Sequence, residues 1–173
     1  LGLANELGVP RTVYVSTVVA FGETGTQVRD ETFTRQVPCR TTYEQSKTDA
    51  HEIALRHQQR GLPLIIVCPH AVIGVNDHSS WGHFLRLYLN HCMPPIGWSP
   101  KAIHALVYRD DLAEGIALAA EAGRIGEMYF LSGEARSFRE HVHYWTRKPG
   151  AFRPLIWLPA GLVALCFAPL EPL

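Results

Sequence analysis

The hydrophobic positions of this 173-residue chain fall into unbroken β-branched runs and helically spaced sets, separated by polar stretches rich in Gly and Pro. Thr12-Val13-Tyr14-Val15-Ser16 and Leu64-Ile65-Ile66-Val67-Cys68 show almost no alternation, which predicts strands buried on both faces, as in a parallel sheet. Between them, residues 43–60 contain neither Pro nor Gly. Thr41 is placed to cap a helix there, Glu44 to complete a capping box, and Gly61 to stop it. Strand, helix and strand with short connections make a βαβ unit, with parallel strands and a right-handed crossover. Ahead of this unit, Leu3, Ala4 and Leu7 sit at helical spacing and Gly8 supplies a stop. Residues 21–39 are polar, carry Gly22, Gly25 and Pro38, and read as loop.

Downstream, Ser79 or Ser80 can cap a helix over 81–90, and the proline-rich stretch 93–100 reads as loop. Residues 104–108 predict a short strand. Asp110 is expected to cap a helix through Leu112, Ala113, Ile116, Ala117 and Ala120, which Gly123 stops. Residues 128–131 predict a last buried strand, and Ser137 with Glu140 a second capping box, opening a helix to about Arg147. The tail, 154–173, is apolar and studded with proline. Its longest proline-free stretch, 160–168, falls short of the ~20 apolar residues that span a bilayer. The tail reads first as a helix packed on a substrate domain, and second as a membrane-surface contact. The resulting fold class is α/β: a Rossmann-type parallel sheet, truncated on its N-terminal side, with part of a small C-terminal substrate domain. Residues 1–74 read as the catalytic half. Residues 75–173 read as a substrate-binding region that includes returning sheet elements at about 103–132 and the apolar tail.

Composition excludes more than it assigns. The chain is 47% hydrophobic and 18% charged, with 16 basic and 16 acidic residues, so nothing favours electrostatic capture of nucleic acid or an anionic membrane. Cys39, Cys68, Cys92 and Cys166 form no CxxC pair and no zinc spacing, and Cys68 reads as a small core hydrophobe. A reducing cytoplasm is the compartment this implies. No metal is expected from the nine histidines: His78, His83 and His91 lack a His-Glu-x-x-His arrangement and partner carboxylates, and His141 and His143 do not share a helix face. Neither Ser16 nor Ser132 lies in a Gly-x-Ser-x-Gly nucleophile turn. The first residue is Leu, and the opening residues read like the end of a helix already under way, as expected of a piece of a longer chain.

Chemistry concentrates in Tyr43-Glu44-Gln45-Ser46-Lys47. Positions i and i+4 of a helix share a face, so the phenol and the ammonium point the same way from its first turns. An ammonium nearby favours a phenolate over a phenol. Such a tyrosine can give a proton to a carbonyl oxygen, or take one from an alcohol, while hydride moves at the carbon. The run Tyr14-Val15-Ser16-Thr17 ends a strand in two hydroxyls, at the end of a parallel sheet where α/β proteins bind ligands.

With these segments in view, the sequence resembles the extended short-chain dehydrogenases/reductases, the NAD-dependent epimerase/dehydratase family. Residues 13–22 look like that family's fifth strand, with Thr17 at its catalytic Ser/Thr position and Phe21-Gly22 at its Tyr/Phe-Gly pair. Asp30-Glu31 matches its acidic pair, Tyr43 and Lys47 its Tyr-x-x-x-Lys motif, and Pro69, Gly74 and Asp77 the motif after its sixth strand. Val107-Tyr108-Arg109-Asp110-Asp111-Leu112-Ala113 resembles a later Val-x-x-Asp-Asp-Val-Ala motif, and residues 126–133 with the Ser137 box match the segment downstream of that motif. The resemblance implies an NAD- or NADP-dependent enzyme acting on a small-molecule substrate. Tyr43 would serve as general acid/base. Lys47 would hold the nicotinamide ribose and favour the phenolate, and Thr17 would orient the reacting oxygen. Pro69 and His70 would lie along the nicotinamide, with Val72 nearby. A homodimer through a four-helix bundle containing the Tyr/Lys helix is also implied.

Two departures qualify the resemblance. The family's opening Gly-rich turn, which cradles the pyrophosphate at a helix N-terminus, has no counterpart in these residues, so the chain alone is expected to bind cofactor weakly and not to turn over. Sugar-nucleotide members also often carry Arg and Asn ahead of the motif glycine, where Cys68 and the substrate-side Ala71 stand here. This tilts the expected substrate toward less charged molecules, as in dihydroflavonol-reductase-like or 3β-hydroxysteroid-dehydrogenase-like members. A nucleotide-sugar epimerase or dehydratase is the alternative, and a non-catalytic dinucleotide-binding module or inactive fragment the bland one.

Overall fold

The computed structural model describes residues 1–24, 27–92, 96–147, 154, 156–159 and 161–162. These fall into two compact units: residues 1–74 with 105–134, and residues 75–104 with 135–173.

The first unit is built on a three-stranded parallel sheet in the order β1-β2-β6, where β1 is Thr12–Val15, β2 is Leu64–Pro69 and β6 is Met128–Leu131. Val15 pairs with Val67, and Pro69 with Leu131. The centre strand explains its own sequence. Leu64, Ile66 and Cys68 face a cluster with Ala20, Phe21, Ala54 and Leu62. Ile65 and Val67 face Ala119, with Val13, Ile116, Tyr129 and Leu131 packed around. Side chains alternate across a strand, so a strand covered on both sides must be apolar at every position, and every residue of β2 is buried. Helix α2, Thr42–Gln59, supplies Ala54 to the first face; α4, Arg109–Ala122, supplies Ala119 to the second. The short α1, Gly2–Glu6, precedes β1, and the tight pair Ala71–Ile73 (β3) and Ile103–Tyr108 (β5) run parallel, Val72 opposite Val107.

The second unit holds α3 (Ser80–Leu89), β4 (Ile96–Trp98), β7 (Ala135–Ser137), α5 (Phe138–Trp145) and β8 (Ile156–Leu158). Its core is aromatic: buried Tyr88, Phe138 and Val142, with Trp81, Phe84, Trp98, Trp145 and Trp157 packed against them. Ser79 caps α3, and the Ser137/Glu140 box opens α5 with both of its hydrogen bonds made.

Several expectations need correction. β1 is not buried on both faces: it lies at the margin of the three-stranded sheet, and Val15 is 48% exposed. β6 lies at the opposite margin and is half-buried throughout. The polar stretch expected as loop from residue 21 is preceded by a 3₁₀ turn, Val18–Phe21, whose last residue is Phe21. Thr41 does cap α2, its hydroxyl accepting from the Glu44 amide, but Glu44 does not close the box on Thr41. Its carboxylate instead accepts from the Arg40 amide at 3.0 Å, one residue further back, beside the Arg35 guanidinium. Asp110 is no cap. Helix α4 starts straight from β5 with Tyr108 as the boundary residue, and Asp110 sits inside the first turn, paired with Arg109 at 2.8 Å. An acid there is favoured by the positive end of the helix without serving as its cap. The stretch 93–100 is not all loop, because β4 forms within it and pairs with β8. Of the helix expected in the tail, residues 160 and 163–168 lie outside the described residues.

Because Ile66 is fully buried on the α2 face of the centre strand, Ile66→Ala should destabilise the first unit by about 2–5 kcal/mol. Urea unfolding read at that unit should show a lower midpoint and an unchanged slope.

Candidate active site

Ser16 and Thr17 follow β1, His70 follows β2, and Tyr43 and Lys47 stand on the first turns of α2. Ser16 continues the ladder beyond β1, its amide donating to Val67 O at 2.8 Å. Thr17 is extended and caps the 3₁₀ turn, its hydroxyl accepting from the Val19 amide at 3.3 Å. That turn packs against α2, partly through the Thr48 hydroxyl, which donates to Ala20 O at 3.5 Å.

On α2, Tyr43 and Lys47 share a face as their spacing predicts, with Lys47 Nζ 5.6 Å from the Tyr43 ring centroid. Both side chains are exposed, Tyr43 at 59%. Eight residues beyond Tyr43 comes His51, which no sequence motif singles out. At 3.6 residues per turn a stripe drifts by roughly 80° over eight residues, and this drift carries the face from solvent into the core. His51 is 6% exposed, and its Nδ1 lies 2.8 Å from Ser16 Oγ. A polar residue at i+8 of the Tyr/Lys pair was the available signal. Burial holds the His51 imidazole below its ordinary range, against a weaker opposing pull from Glu52. Behind Ser16, burial pushes the Cys68 thiol up to about 12, so it is a thiol rather than a thiolate and offers no charge.

Pro69 is the buried last residue of β2. His70 comes next, its amide bonded to Leu131 O at 3.1 Å. Its Nδ1 is shielded from solvent and has no hydrogen-bond partner among the described residues, and burial lowers its basicity. Ala71 and Val72 lie half-buried in β3. A row of edge-to-face rings joins the two histidines: His51 on Phe21 (5.0 Å), Phe21 on Phe130 (4.9 Å), and His70 on Phe130 (6.0 Å). The acidic pair has separate local tasks. Glu31 accepts from the Phe130 amide at 2.8 Å on the margin of β6, and Asp30 accepts from the amide and hydroxyl of Thr32. Among the described residues, no group of three or more His, Cys, Asp and Glu side chains is placed to hold a metal ion, and no helix is long and apolar enough to cross a membrane.

A parallel sheet with helices on both faces, polar groups at its C-terminal strand ends and a Tyr/Lys pair on the adjoining helix defines a Rossmann-type α/β protein. Residues 1–131 match the model of the NAD dependent epimerase/dehydratase family, and the chain belongs to that family. A relative from Synechocystis sp., provisionally named a dihydroflavonol 4-reductase, is 31% identical over 171 aligned positions, covering 92% of this chain and 49% of the relative. The crystal structure of the protein gox2253 superposes with a TM-score of 0.80 at 31% identity, covering 96% of this chain and 52% of that one. A double mutant of DesIV, a dTDP-glucose 4,6-dehydratase from Streptomyces venezuelae with NAD and DAU bound, gives 0.71 at 25% identity, covering 91% and 50%. The chain thus spans about half the length of the relatives it matches.

His51 and His70 are both held below their ordinary value of 6.5 by burial. The native state therefore keeps them neutral, while the unfolded state takes up protons as pH falls through about 6.5. Stability is full above that pH and is lost below it, by at most ~1.4 kcal/mol per pH unit for each group. Denaturant midpoints measured between pH 7.5 and 5.5 should fall with acid, and His51→Gln should flatten that fall.

Proposed function

We propose that this chain forms the nicotinamide-side, catalytic portion of an NAD(P)-dependent reductase acting on a carbonyl or alcohol carbon. The observation that supports this reading best is the Tyr43/Lys47 pair, exposed on the first turns of α2, the helix against which the 3₁₀ turn capped by Thr17 packs. In this reading, residues 1–74 are the catalytic half, and residues 75–173 carry the substrate-binding region together with the returning strand β5, helix α4 and strand β6.

The residues present suit one end of a dinucleotide. His70 Nδ1, buried where β2 ends and without a partner among the described residues, is a polar atom suited to a ligand group. Lys47 would hold the ribose, with Pro69, His70 and Val72 along the nicotinamide. No Gly-rich turn for the pyrophosphate occurs in these residues. The bound nicotinamide would supply or accept the hydride. Tyr43 would pass a proton to or from the substrate oxygen, Thr17 would hold that oxygen by its hydroxyl, and Lys47 would stabilise the phenolate left behind. Cys68 favours a less charged substrate: where sugar-nucleotide members often place Arg, this residue is wholly buried and carries a protonated thiol. Ala71, at the place of their Asn, presents no amide to a phosphate. The second reading, a nucleotide-sugar epimerase or dehydratase, rests on the likeness to DesIV.

Assayed in a protein of the relatives' full length, Tyr43→Phe should lower kcat by about 10²–10⁴-fold with cofactor affinity nearly unchanged. Unchanged turnover would leave a dinucleotide-binding module in place of an enzyme. A fluorescence titration of the 173-residue chain with NADH or NADPH should show only weak binding. Tight, saturable binding would mean that the pyrophosphate contacts expected from a Gly-rich turn are made by these residues.

A further inference from the structure

Arg35 belongs to the loop between the 3₁₀ turn and α2, and no motif singles it out. Its side chain is nonetheless only 14% exposed. Nη2 donates to Val19 O at 2.8 Å and Nε to Ala20 O at 3.2 Å, covering two carbonyls of the 3₁₀ turn. Nη1 donates to Val37 O at 3.3 Å and meets Glu44 Oε2 at 3.4 Å. The two ends of this fork reach the two halves of the site. Val19, whose carbonyl Arg35 holds, is the residue whose amide holds the Thr17 hydroxyl. Glu44, whose carboxylate Arg35 holds, is the neighbour of Tyr43 in the first turn of α2. The Arg40 amide and then the Arg35 side chain keep the Glu44 carboxyl below its ordinary range, so the acid partner stays ionised.

Gly22 fits the same picture. It has φ +75, and a Cβ there would stand 3.1 Å from Arg35 Cζ. A side chain at this position would press on the guanidinium as well as strain the backbone. The glycine after Phe21 thereby keeps open the space that the guanidinium fills. A planar guanidinium can serve three carbonyls and a carboxylate at once, whereas a lysine ammonium is a single compact charge on a flexible stem.

We propose that Arg35 is a positioning residue, a clamp that fixes the Thr17 hydroxyl relative to the Tyr43 phenol. Its catalytic consequence rests on the function proposed above; the clamp itself does not. The test uses the 173-residue chain with ¹³C-methyl threonine and ring-labelled tyrosine, read by NMR. Arg35→Ala should shift both the Thr17 methyl and the Tyr43 ring resonances. Ethylguanidinium, which can refill the space, should return both, and ethylammonium should not. Glu44→Gln should move the Tyr43 ring while leaving the Thr17 methyl in place. If Arg35→Ala does not fold, Arg35→Lys, which keeps the charge and loses the fork, should give the same paired shifts. Loss of thermal stability with both resonances unmoved would overturn the clamp and leave Arg35 a merely structural residue. In a protein of the relatives' full length, Arg35→Lys should lower kcat by about 100-fold, the scale of a misplaced catalytic group, with the KM for cofactor unchanged. Paired shifts in a protein whose turnover survives Tyr43→Phe would uphold the clamp and remove the catalytic reading instead.

Discussion

The structure of the first unit depends on the burial of one strand from both sides. Every residue of β2 is out of solvent, and its alternating side chains divide between the α2 and α4 faces. Each face alone would leave the strand half wet, and the apolar run would then lose the water exclusion that stabilises it. Because α2 must cover its side of β2, packing sets where the helix lies on the sheet, and hydrogen bonds from Arg35 then tie its first turn to the 3₁₀ turn.

The polar groups on and around α2 are graded by depth. Cys68 and His51 form the buried layer, with half-buried Ser16 hydrogen-bonded to the histidine; the histidine is neutral and the thiol protonated because a low-dielectric surrounding penalises their charged forms. Tyr43 and Lys47 form the exposed layer, able to meet a ligand arriving from solvent. The gradation comes from helix geometry. One stripe at spacing i, i+4, i+8 turns steadily inward, so Tyr43 and Lys47 face solvent while His51, on the same helix, is buried. Arg35 and Glu44 add a lateral tie between the helix start and the 3₁₀ turn, made of charge-assisted hydrogen bonds that fix orientation as well as distance.

Much of this was legible in the sequence. The Leu64–Pro69 strand, the Pro- and Gly-free α2 with its Thr41 cap, and the Tyr43/Lys47 pairing all come from local patterns, because periodicity and capping report on neighbours close in the chain. The features that escaped it depend on partners far apart. Asp110 looks like a cap until β5 runs directly into α4. Glu44 looks like the closing half of a box until Arg35 and the Arg40 amide take it. The short strand β4 hides among prolines because its pairing with β8 joins segments that no local pattern connects. His51 and Arg35 carried no motif at all; their importance comes from burial, which a single sequence does not display.

If the phenol and ammonium on α2 serve a hydride transfer at the strand ends, isotope transfer is the most direct test. In a protein of the relatives' full length, nicotinamide cofactor deuterated on one face of C4 is incubated with an uncharged ketone substrate, and the product alcohol is examined by mass spectrometry. Transfer of deuterium to the carbinol carbon from one face only is the result expected of a fixed site built on these residues. Product formed with no label from either face would mean that the chemistry does not pass through the nicotinamide, and the assignment of Tyr43, Lys47 and Thr17 would be wrong.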